Sequence, residues 1–236
     1  MDKKQFSRDQ IFFCVCNIRT PIGGTNEKTG TGMFVANNNG AYLVTAEHIA
    51  IDTNYLTYLV LCDKSGNYIE LSLIQLNNTI SWIHHKTEDL SALKIDVEKC
   101  WRIIAERCFP LDQIGLDLSS ISRDRELTCV GFPCGLGSKG AKFSPFTFRS
   151  FLSSSLITLE RADTKKPAEF LCLENPSVGG YSGGPIFDLG YVTDGNVVSS
   201  SGETKLIGIM HGTIFDDTGG KIAMITPAWF LKDLID

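Results

Sequence analysis

One serine of this sequence lies inside a glycine-rich string, Gly-Gly-Tyr-Ser-Gly-Gly-Pro at residues 179–185. Glycine adopts backbone conformations with positive φ and leaves room for a substrate, so Ser182 can occupy a tight, accessible turn. In such a turn the amides of Gly180 and Ser182 can stabilise an oxyanion, which is often a large catalytic contribution. A lone Gly-Ser-Gly is more typical of a polar β-turn, but the whole string favours a nucleophilic serine.

A nucleophilic serine needs a base, because its hydroxyl is a weak nucleophile at neutral pH. The sequence has four histidines, which are His48, His84, His85 and His211. His48 ends the run Leu-Val-Thr-Ala-Glu-His, where a strand pattern gives way to a turn, whereas His84 and His85 are expected in an exposed loop. A single histidine in such a place is more often structural, so the assignment of His48 as the base depends on its context.

That context is a series of four blocks in chain order: Gly-Thr-Gly-x-x-Val at 30–35, Leu-Val-Thr-Ala-x-His at 43–48, Asp-Leu-Ser-Ala-Leu-Lys at 89–94 and Gly-x-Ser-Gly-Gly-Pro at 180–185. Together they resemble the successive blocks of trypsin-like serine peptidases, and the resemblance extends from about Phe12 to the C-terminus. It implies a serine endopeptidase with two packed six-stranded antiparallel β-barrels and a catalytic cleft between them.

The resemblance implies that Ser182 is the nucleophile, His48 the base and Asp89 the residue that orients His48. On its own, Asp89 would be interpreted as a solvated acid beside Glu88. Its register to the following Leu-Ser-Ala-Leu run favours Asp89 as the orienting residue, and Glu88 is the alternative.

Two departures from the family pattern concern activation. Ile49 follows His48 where secreted animal members often have cysteine, so that disulfide is absent. Tyr181 precedes Ser182 where secreted zymogens carry an aspartate that pairs with a newly cut N-terminus. We therefore expect activity without a freed N-terminus, and the sequence is more similar to disulfide-free bacterial and intracellular members.

The substrate pocket is less well specified. His211 lies where the family's substrate-binding strand runs, and three roles are open: lining the pocket, supporting Asp89, or an ordinary strand residue. Pro176 stands where trypsin-type enzymes place the acid that binds arginine or lysine, so a basic P1 side chain is not favoured. The residues expected to bind substrate are Ser177, His211, Gly212 and Thr213.

The fold prediction comes from many short apolar runs separated by Gly-, Asn- and Asp-rich turns, which predict an all-β protein. Helical spacing is confined to residues 97–108 and to residues 226–235, where Thr226 would cap the helix and Pro227 would occupy its first position. We expect an N-terminal β-barrel lobe over residues 1–110, carrying the histidine and aspartate. A C-terminal lobe over residues 111–236 would carry the serine and the C-terminal helix.

Composition limits the partners. The 236 residues carry a net charge of −5, 43% are apolar and 21% are charged, and no Lys/Arg-rich run is present. Nucleic acid is therefore not expected as a partner, and neither are a membrane, a cofactor or a metal. We expect a cytoplasmic protein that acts on protein or peptide substrates, with an activating partner as an open possibility.

The eight cysteines are an even number and would allow four disulfides. The absence of a secretory signal and the length of the chain favour free, buried thiols instead. A zinc site is less favoured, because Cys129 and Cys134 have no second Cys/His pair at ligand spacing.

Parts of the sequence are also compatible with two other functions. Gly-x-Ser-x-Gly also fits the nucleophile elbow of α/β-hydrolase esterases, but that fold needs a helix directly after Ser182, and Gly183-Gly184-Pro185 opposes one. A catalytically silent or partner-gated protease fold that serves as a binding module is the second alternative.

Overall fold

The computed structural model describes residues 4–115, 121–161, 163–194, 196–200 and 202–235. The main elements of this chain are two antiparallel sheets, and each sheet is built from strands that are near one another in sequence. The first sheet precedes residue 111, and the second follows residue 126. The prediction of an all-β, chymotrypsin-like architecture is confirmed.

The first sheet has eight strands with the spatial order β5-β4-β1-β2-β3-β7-β6, and β8 pairs with β2 in parallel. Its central hairpin joins β1 to β2, and each of these strands contains a continuous run of buried residues. The bounds are β1 Val15–Gly23, β2 Asn26–Asn37, β3 Gly40–Thr45, β4 Tyr58–Cys62, β5 Tyr68–Ser72, β6 Trp82–His84, β7 Ser91–Lys94 and β8 Phe109–Pro110.

The second sheet has seven strands with the order β10-β9-β13-β16-β17-β12-β11, and a separate hairpin joins β14 to β15. The bounds are β9 Leu127–Gly131, β10 Phe146–Ser150, β11 Ile157–Glu160, β12 Pro167–Leu173, β13 Pro185–Asp188, β14 Tyr191–Asp194, β15 Val197–Ser200, β16 Lys205–Phe215 and β17 Lys221–Pro227. The sheets thus have eight and seven strands rather than six each. In the first sheet, the three-residue β6 and the two-residue β8 are too short to show a sequence pattern.

Helices are short and few in the described chain. They are α1 Arg8–Phe13, α2 Glu47–Ile51, α3 Val97–Ile104 and α4 Lys232–Ile235, with 3-10 turns at Leu73–Gln75, Leu111–Gln113, Pro133–Gly135 and Ala228–Leu231. Asp96 caps α3 by accepting from the Lys99 amide, and its apolar face packs on the first sheet. No helix in the described ranges is long and apolar enough to span a membrane.

Two local predictions were wrong. Helical structure is not confined to residues 97–108 and 226–235, because Arg8–Phe13 form α1, where Ser7 and Gln10 form a capping box that fixes a helical turn. The predicted C-terminal helix over 226–235 begins later, because Thr226 pairs with Ile209 in the sheet. Pro227 therefore precedes the 3-10 turn instead of opening an α-helix.

Hydrophobic cores lie inside each sheet and between them. One cluster belongs to the first sheet, another to the second, and a third contains buried residues of both. The chain before β1 crosses to the second sheet, where the Phe6 amide donates to Thr204 Oγ1 at 2.8 Å. Ile11 of α1 is fully buried in the shared cluster. These contacts hold the two sheets against each other.

Candidate active site

Ser182 lies in a tight turn between β12 and β13 that is fastened to the first sheet by one threonine. The amide of Thr31 in β2 donates to the Ser182 carbonyl at 2.8 Å, and its hydroxyl donates to the Gly180 carbonyl at 2.7 Å. Thr45, at the end of β3, donates in turn to the Thr31 carbonyl at 2.7 Å. The turn is therefore positioned by the strands that lead to His48.

The glycines of the turn are required by conformation and by space. Gly180 has φ +100° and Gly183 φ +81°, and a Cβ on Gly183 would lie 2.1 Å from the Thr31 carbonyl oxygen. A side chain at Gly183 would also meet the Ala46 amide at 3.1 Å, which shows how closely the serine turn approaches the start of α2. The amides of Gly180 and Ser182 donate no hydrogen bond to another described residue. Both N–H groups are thus free for a ligand.

Burial of the Tyr181 ring supports this turn. Its ring is 6% exposed and packs edge-to-face on Phe148 with ring centroids 5.0 Å apart. Gly131 provides the space for the ring, since a Cβ there would lie 2.6 Å from Tyr181 Cδ1. Burial raises the pKa of the Tyr181 hydroxyl to about 12, with the nearby Cys129 thiol contributing in the same direction. Packing of an uncharged aromatic ring therefore supports the turn at the position where zymogens use an acid.

Asp89 binds His48 at two points. One carboxylate oxygen lies 2.7 Å from His48 Nδ1, and the other accepts from the His48 amide at 3.0 Å. His48 lies in α2 directly after β3, and Asp89 precedes β7, the neighbour of β3 in the sheet. An ionised carboxylate only accepts hydrogen bonds, so Nδ1 carries the proton. His48 Nε2 has no partner among the described residues and is the acceptor of the neutral ring.

His211 contacts the same oxygen of Asp89. Its Nδ1 lies 2.5 Å from Asp89 Oδ2, and its ring meets that of His48 edge-on at 5.7 Å between centroids. His211 is buried and also packs on the Phe170 ring. The cleft beside Ser182 does not include it among its lining residues, so the geometry assigns His211 to Asp89 rather than to substrate.

The charge states of Asp89 and His48 depend on each other. Burial by itself would raise the pKa of Asp89, but hydrogen bonds from His211 and His48 outweigh it and hold that pKa well below the ordinary 3.8. Burial by itself would lower the pKa of His48, but the hydrogen bond and charge of Asp89 raise it above the ordinary 6.5. Asp89 is therefore a carboxylate at neutral pH, and it stabilises an imidazolium at His48.

Together, His48, Asp89 and His211 have the residue types of a metal site, with donor atoms within 4.8 Å of one another. The donor atoms of the two rings instead contact the Asp89 carboxylate directly, at 2.7 and 2.5 Å. An ion at about 2.0–2.2 Å from each ligand would have to separate these atoms. A cationic guanidinium, that of Arg161, also lies on Asp89 at 3.1 Å. The cluster is thus built for hydrogen bonding.

The cleft beside Ser182 has a volume of about 380 Å³. Of the predicted substrate residues, Ser177, Gly212 and Thr213 line it, and the hydroxyls of Ser177 and Thr213 are 2.8 Å apart. Sequence reasoning missed the rest of the lining, which has no local signature: Val178, Gly179, Phe215 and Lys221.

The other candidates lie outside the cleft. Glu88, the alternative to Asp89, is buried and accepts from the Glu169 amide at 2.9 Å. His84 bonds to Ser91 at 2.7 Å, and His85 faces Asp233 at 3.3 Å. Arg161 also contacts Asp89, and the sequence analysis did not predict this contact. In the sequence, Arg161 is one of several charged residues in a polar hairpin, so nothing distinguishes it.

Comparisons with known proteins show the fold but no close relative: no family model and no curated protein matches the sequence. Among solved structures, the MamO protease domain from Magnetospirillum magneticum is similar over 96% of this chain and 98% of that one, with 15% identity and a TM-score of 0.63. The Rv3671c protease from M. tuberculosis is similar over 96% of this chain and 81% of its own, with 14% identity and a TM-score of 0.59. The HtrA-type protease AlgW has 18% identity and a TM-score of 0.58, and this chain spans 62% of that structure. The fold is that of trypsin/chymotrypsin-like serine peptidases.

Proposed function

We propose that this chain, which has the fold of the chymotrypsin-like serine peptidases, is a serine endopeptidase that acts through Ser182, His48 and Asp89. The observation that carries the proposal is the Asp89 carboxylate on Nδ1 of His48, which leaves Nε2 as an acceptor. It is supported by a serine turn with two unpartnered amides that abuts the start of the His48 helix.

In this reaction the Ser182 hydroxyl oxygen attacks the scissile carbonyl carbon while His48 Nε2 takes its proton. Asp89 keeps the imidazole in the correct tautomer and stabilises the imidazolium, which the raised pKa of His48 favours. The amides of Gly180 and Ser182 hold the oxyanion of the tetrahedral intermediate. His48 then protonates the leaving amine, and a water molecule hydrolyses the acyl-enzyme with the same proton transfers.

A protein or peptide substrate fits the sheet beside the serine. Strand β13 pairs with β16 only up to Ile209, whereas β17 follows β16 to Phe215. Among the described strands, none therefore pairs with the edge of β16 from Gly212 onward on the cleft side, and an extended peptide can add there by main-chain hydrogen bonds.

The pocket favours an acidic P1 side chain. Of the described residues that line it, Lys221 is the only charged one, and the hydroxyls of Ser177 and Thr213 are further donors. A lysine or arginine at P1 would meet a like charge and no carboxylate, so basic residues are disfavoured.

The test is covalent labelling of Ser182 by a fluorophosphonate, followed by peptide mapping. The proposal expects labelling of wild type at Ser182, loss of labelling in Ser182→Ala, and loss of peptide hydrolysis in the same variant with an unchanged unfolding transition. A folded Ser182→Ala protein that cleaves as fast as wild type contradicts the assignment.

One observation favours the second candidate, a silent or partner-gated binding module. The Ser182 hydroxyl forms no hydrogen bond with His48 or with another described residue. Such a protein would bind peptides along β16 and would resist the fluorophosphonate until a partner is added. Absence of labelling alone and with candidate partners selects the binding module.

The proposed setting is the cytoplasm, without a cofactor. All eight cysteines lie in the described chain as free thiols, as predicted, and seven of them are wholly or partly buried. Unpaired thiols support a reducing compartment.

A further inference from the structure

Asp89 contacts an arginine, Arg161, in addition to the two histidines. The guanidinium of Arg161 is 3% exposed and lies in the hairpin turn between β11 and β12 of the second sheet. Its Nη2 lies 3.1 Å from Asp89 Oδ1, the oxygen that also accepts from the His48 amide. Arg161 therefore reaches across from the second sheet to the aspartate of the first sheet that orients His48.

The same guanidinium binds three carboxylates. Glu47, which precedes His48 in α2, lies 2.6 Å from Nη1, and Asp163 lies 2.6 Å from Nη2 and 3.0 Å from Nε. The Thr87 carbonyl is 3.4 Å from Nη1. A planar fork with several donors is the group suited to such a set, and a lysine could not contact all of them at once. We propose that Arg161 is a positioning residue, which fixes Asp89 and the helix start at Glu47 in one geometry and thereby holds His48 in register with Ser182.

The charges around His48 give this inference a second consequence. The ionisable groups that face the Arg161–His48 cluster are Glu47, Asp89, Asp163, His211 and His84, the last at 3.8 Å from Glu47. Among the described residues, Arg161 is the only permanent cation that contacts these groups. Without it, the charges of Asp89 and Asp163, which raise the pKa of His48, are no longer opposed, and they favour the protonated ring. Loss of Arg161 therefore raises the pH at which His48 becomes a base, in addition to loosening its position.

The inference rests on the proposed function, and the experiment has one arm that does not. Arg161→Gln, Arg161→Lys and the control Arg149→Gln, an exposed arginine paired with Glu126, are compared with wild type on a reporter peptide. We expect Arg161→Gln to lower kcat about 10- to 100-fold, the loss of one buried hydrogen bond between charged groups, with KM nearly unchanged. In Arg161→Gln, the rise of kcat/KM with pH, which reports the loss of the proton from His48, should move to higher pH. Arg161→Lys should keep the wild-type pH dependence of kcat/KM and have a kcat between those of Arg161→Gln and wild type. Arg149→Gln should change neither quantity.

The second arm follows the four histidine rings by NMR titration in a Ser182→Ala background, where no activity is needed. Arg161→Gln is expected to raise the midpoint of His48, and Arg161→Lys to leave it in place. If wild type is inactive but the midpoint moves, the proposed function fails and the positioning role stands. If wild type is active and Arg161→Gln has the same kcat, the same pH dependence of kcat/KM and the same His48 titration midpoint as wild type, the positioning role is wrong. If Arg161→Gln does not fold, Arg161→Lys decides alone: the inference requires at least a fivefold loss of kcat, and an unchanged kcat overturns it.

Discussion

Replacing Asp89 with asparagine alters one atom of a buried carboxylate and tests the central geometry directly. The asparagine oxygen can still accept from the His48 amide and Arg161. Its NH₂ group then faces the two rings and presents one hydrogen to each Nδ1, so both rings must accept there. The proton of each ring moves to Nε2, and His48 can no longer take the proton of Ser182. The fold survives this change because both histidine contacts are kept with reversed polarity.

The expected loss of rate is about 10,000-fold in kcat, which is the cost of the wrong histidine tautomer in a serine peptidase. The expected loss of stability is about 3 kcal/mol, at the low end for breaking a buried ion pair, because Arg161 retains Glu47 and Asp163.

The stability difference should itself depend on pH. The pKa of Asp89 is lower in the folded state than the unfolded value of 3.8, so its stabilisation is complete above that value and is lost as the pH falls through the folded pKa. The pKa of His48 is higher in the folded state than the unfolded value of 6.5, so its share is complete below 6.5 and is lost as the pH rises through the folded pKa. The difference between wild type and Asp89→Asn is therefore largest between about pH 4 and 6.5.

The measurement combines kcat/KM on a reporter peptide with urea unfolding followed by tryptophan fluorescence at several pH values. Asp124→Asn, the same substitution at an exposed site, is the control and should change stability by less than about 0.5 kcal/mol. The reasoning is refuted if folded Asp89→Asn keeps more than a tenth of wild-type kcat/KM, or if its stability matches that of the control at pH 6.

Four further outcomes can be measured. Activity should rise with pH with a midpoint above 6.5, because the pKa of His48 is raised, and His48→Ala should lose little more when Ser182→Ala is added; a flat profile or additive losses would contradict a histidine base. A P1 library should show acidic residues ahead of basic ones by about tenfold, and Lys221→Glu should reverse that order; an order unaffected by Lys221→Glu removes this residue from the pocket. A thiol reagent should modify exposed Cys134 first in native protein and all eight cysteines after denaturation, and two or more disulfides would argue for an oxidising compartment. Acetylating the N-terminus should leave activity intact, whereas Tyr181→Ala should lower it at least tenfold and Tyr181→Phe should not; activity that requires a free amine would overturn the role given to the ring.

Sequence alone was informative where the chemistry is local. The glycines around Ser182 predict a tight turn because glycine, unlike other residues, readily adopts positive φ. Gly180 and Gly183 do have positive φ in the structure. The strand pattern before His48 likewise predicted β3, whose bounds are Gly40–Thr45. The two barrels followed from the resemblance of the ordered blocks.

Sequence was uninformative where a role depends on distant contacts. The pattern around His211 allowed a pocket or an Asp89 contact, and only the bulge between Met210 and Gly212 in the β16–β17 pairing sets the register there. Arg161 is 72 residues from Asp89, and a charge in a hairpin turn is ordinarily solvated. The start of the C-terminal helix was misplaced because Thr226 and Pro227 have a capping signature that the pairing of β16 with β17 overrides.

The hydrogen bonds of Thr31 bear on the order in which the protein is made. The turn at Ser182 needs Thr31, which is synthesised early, and it also needs the Met210 carbonyl, which accepts from the Gly183 amide at 2.8 Å. During synthesis the serine turn therefore cannot complete its hydrogen bonds until residue 210 has been added. A fragment that ends after residue 183 but before residue 210 contains Thr31 and Ser182 but lacks the carbonyl that accepts from the Gly183 amide, so its serine turn stays incomplete.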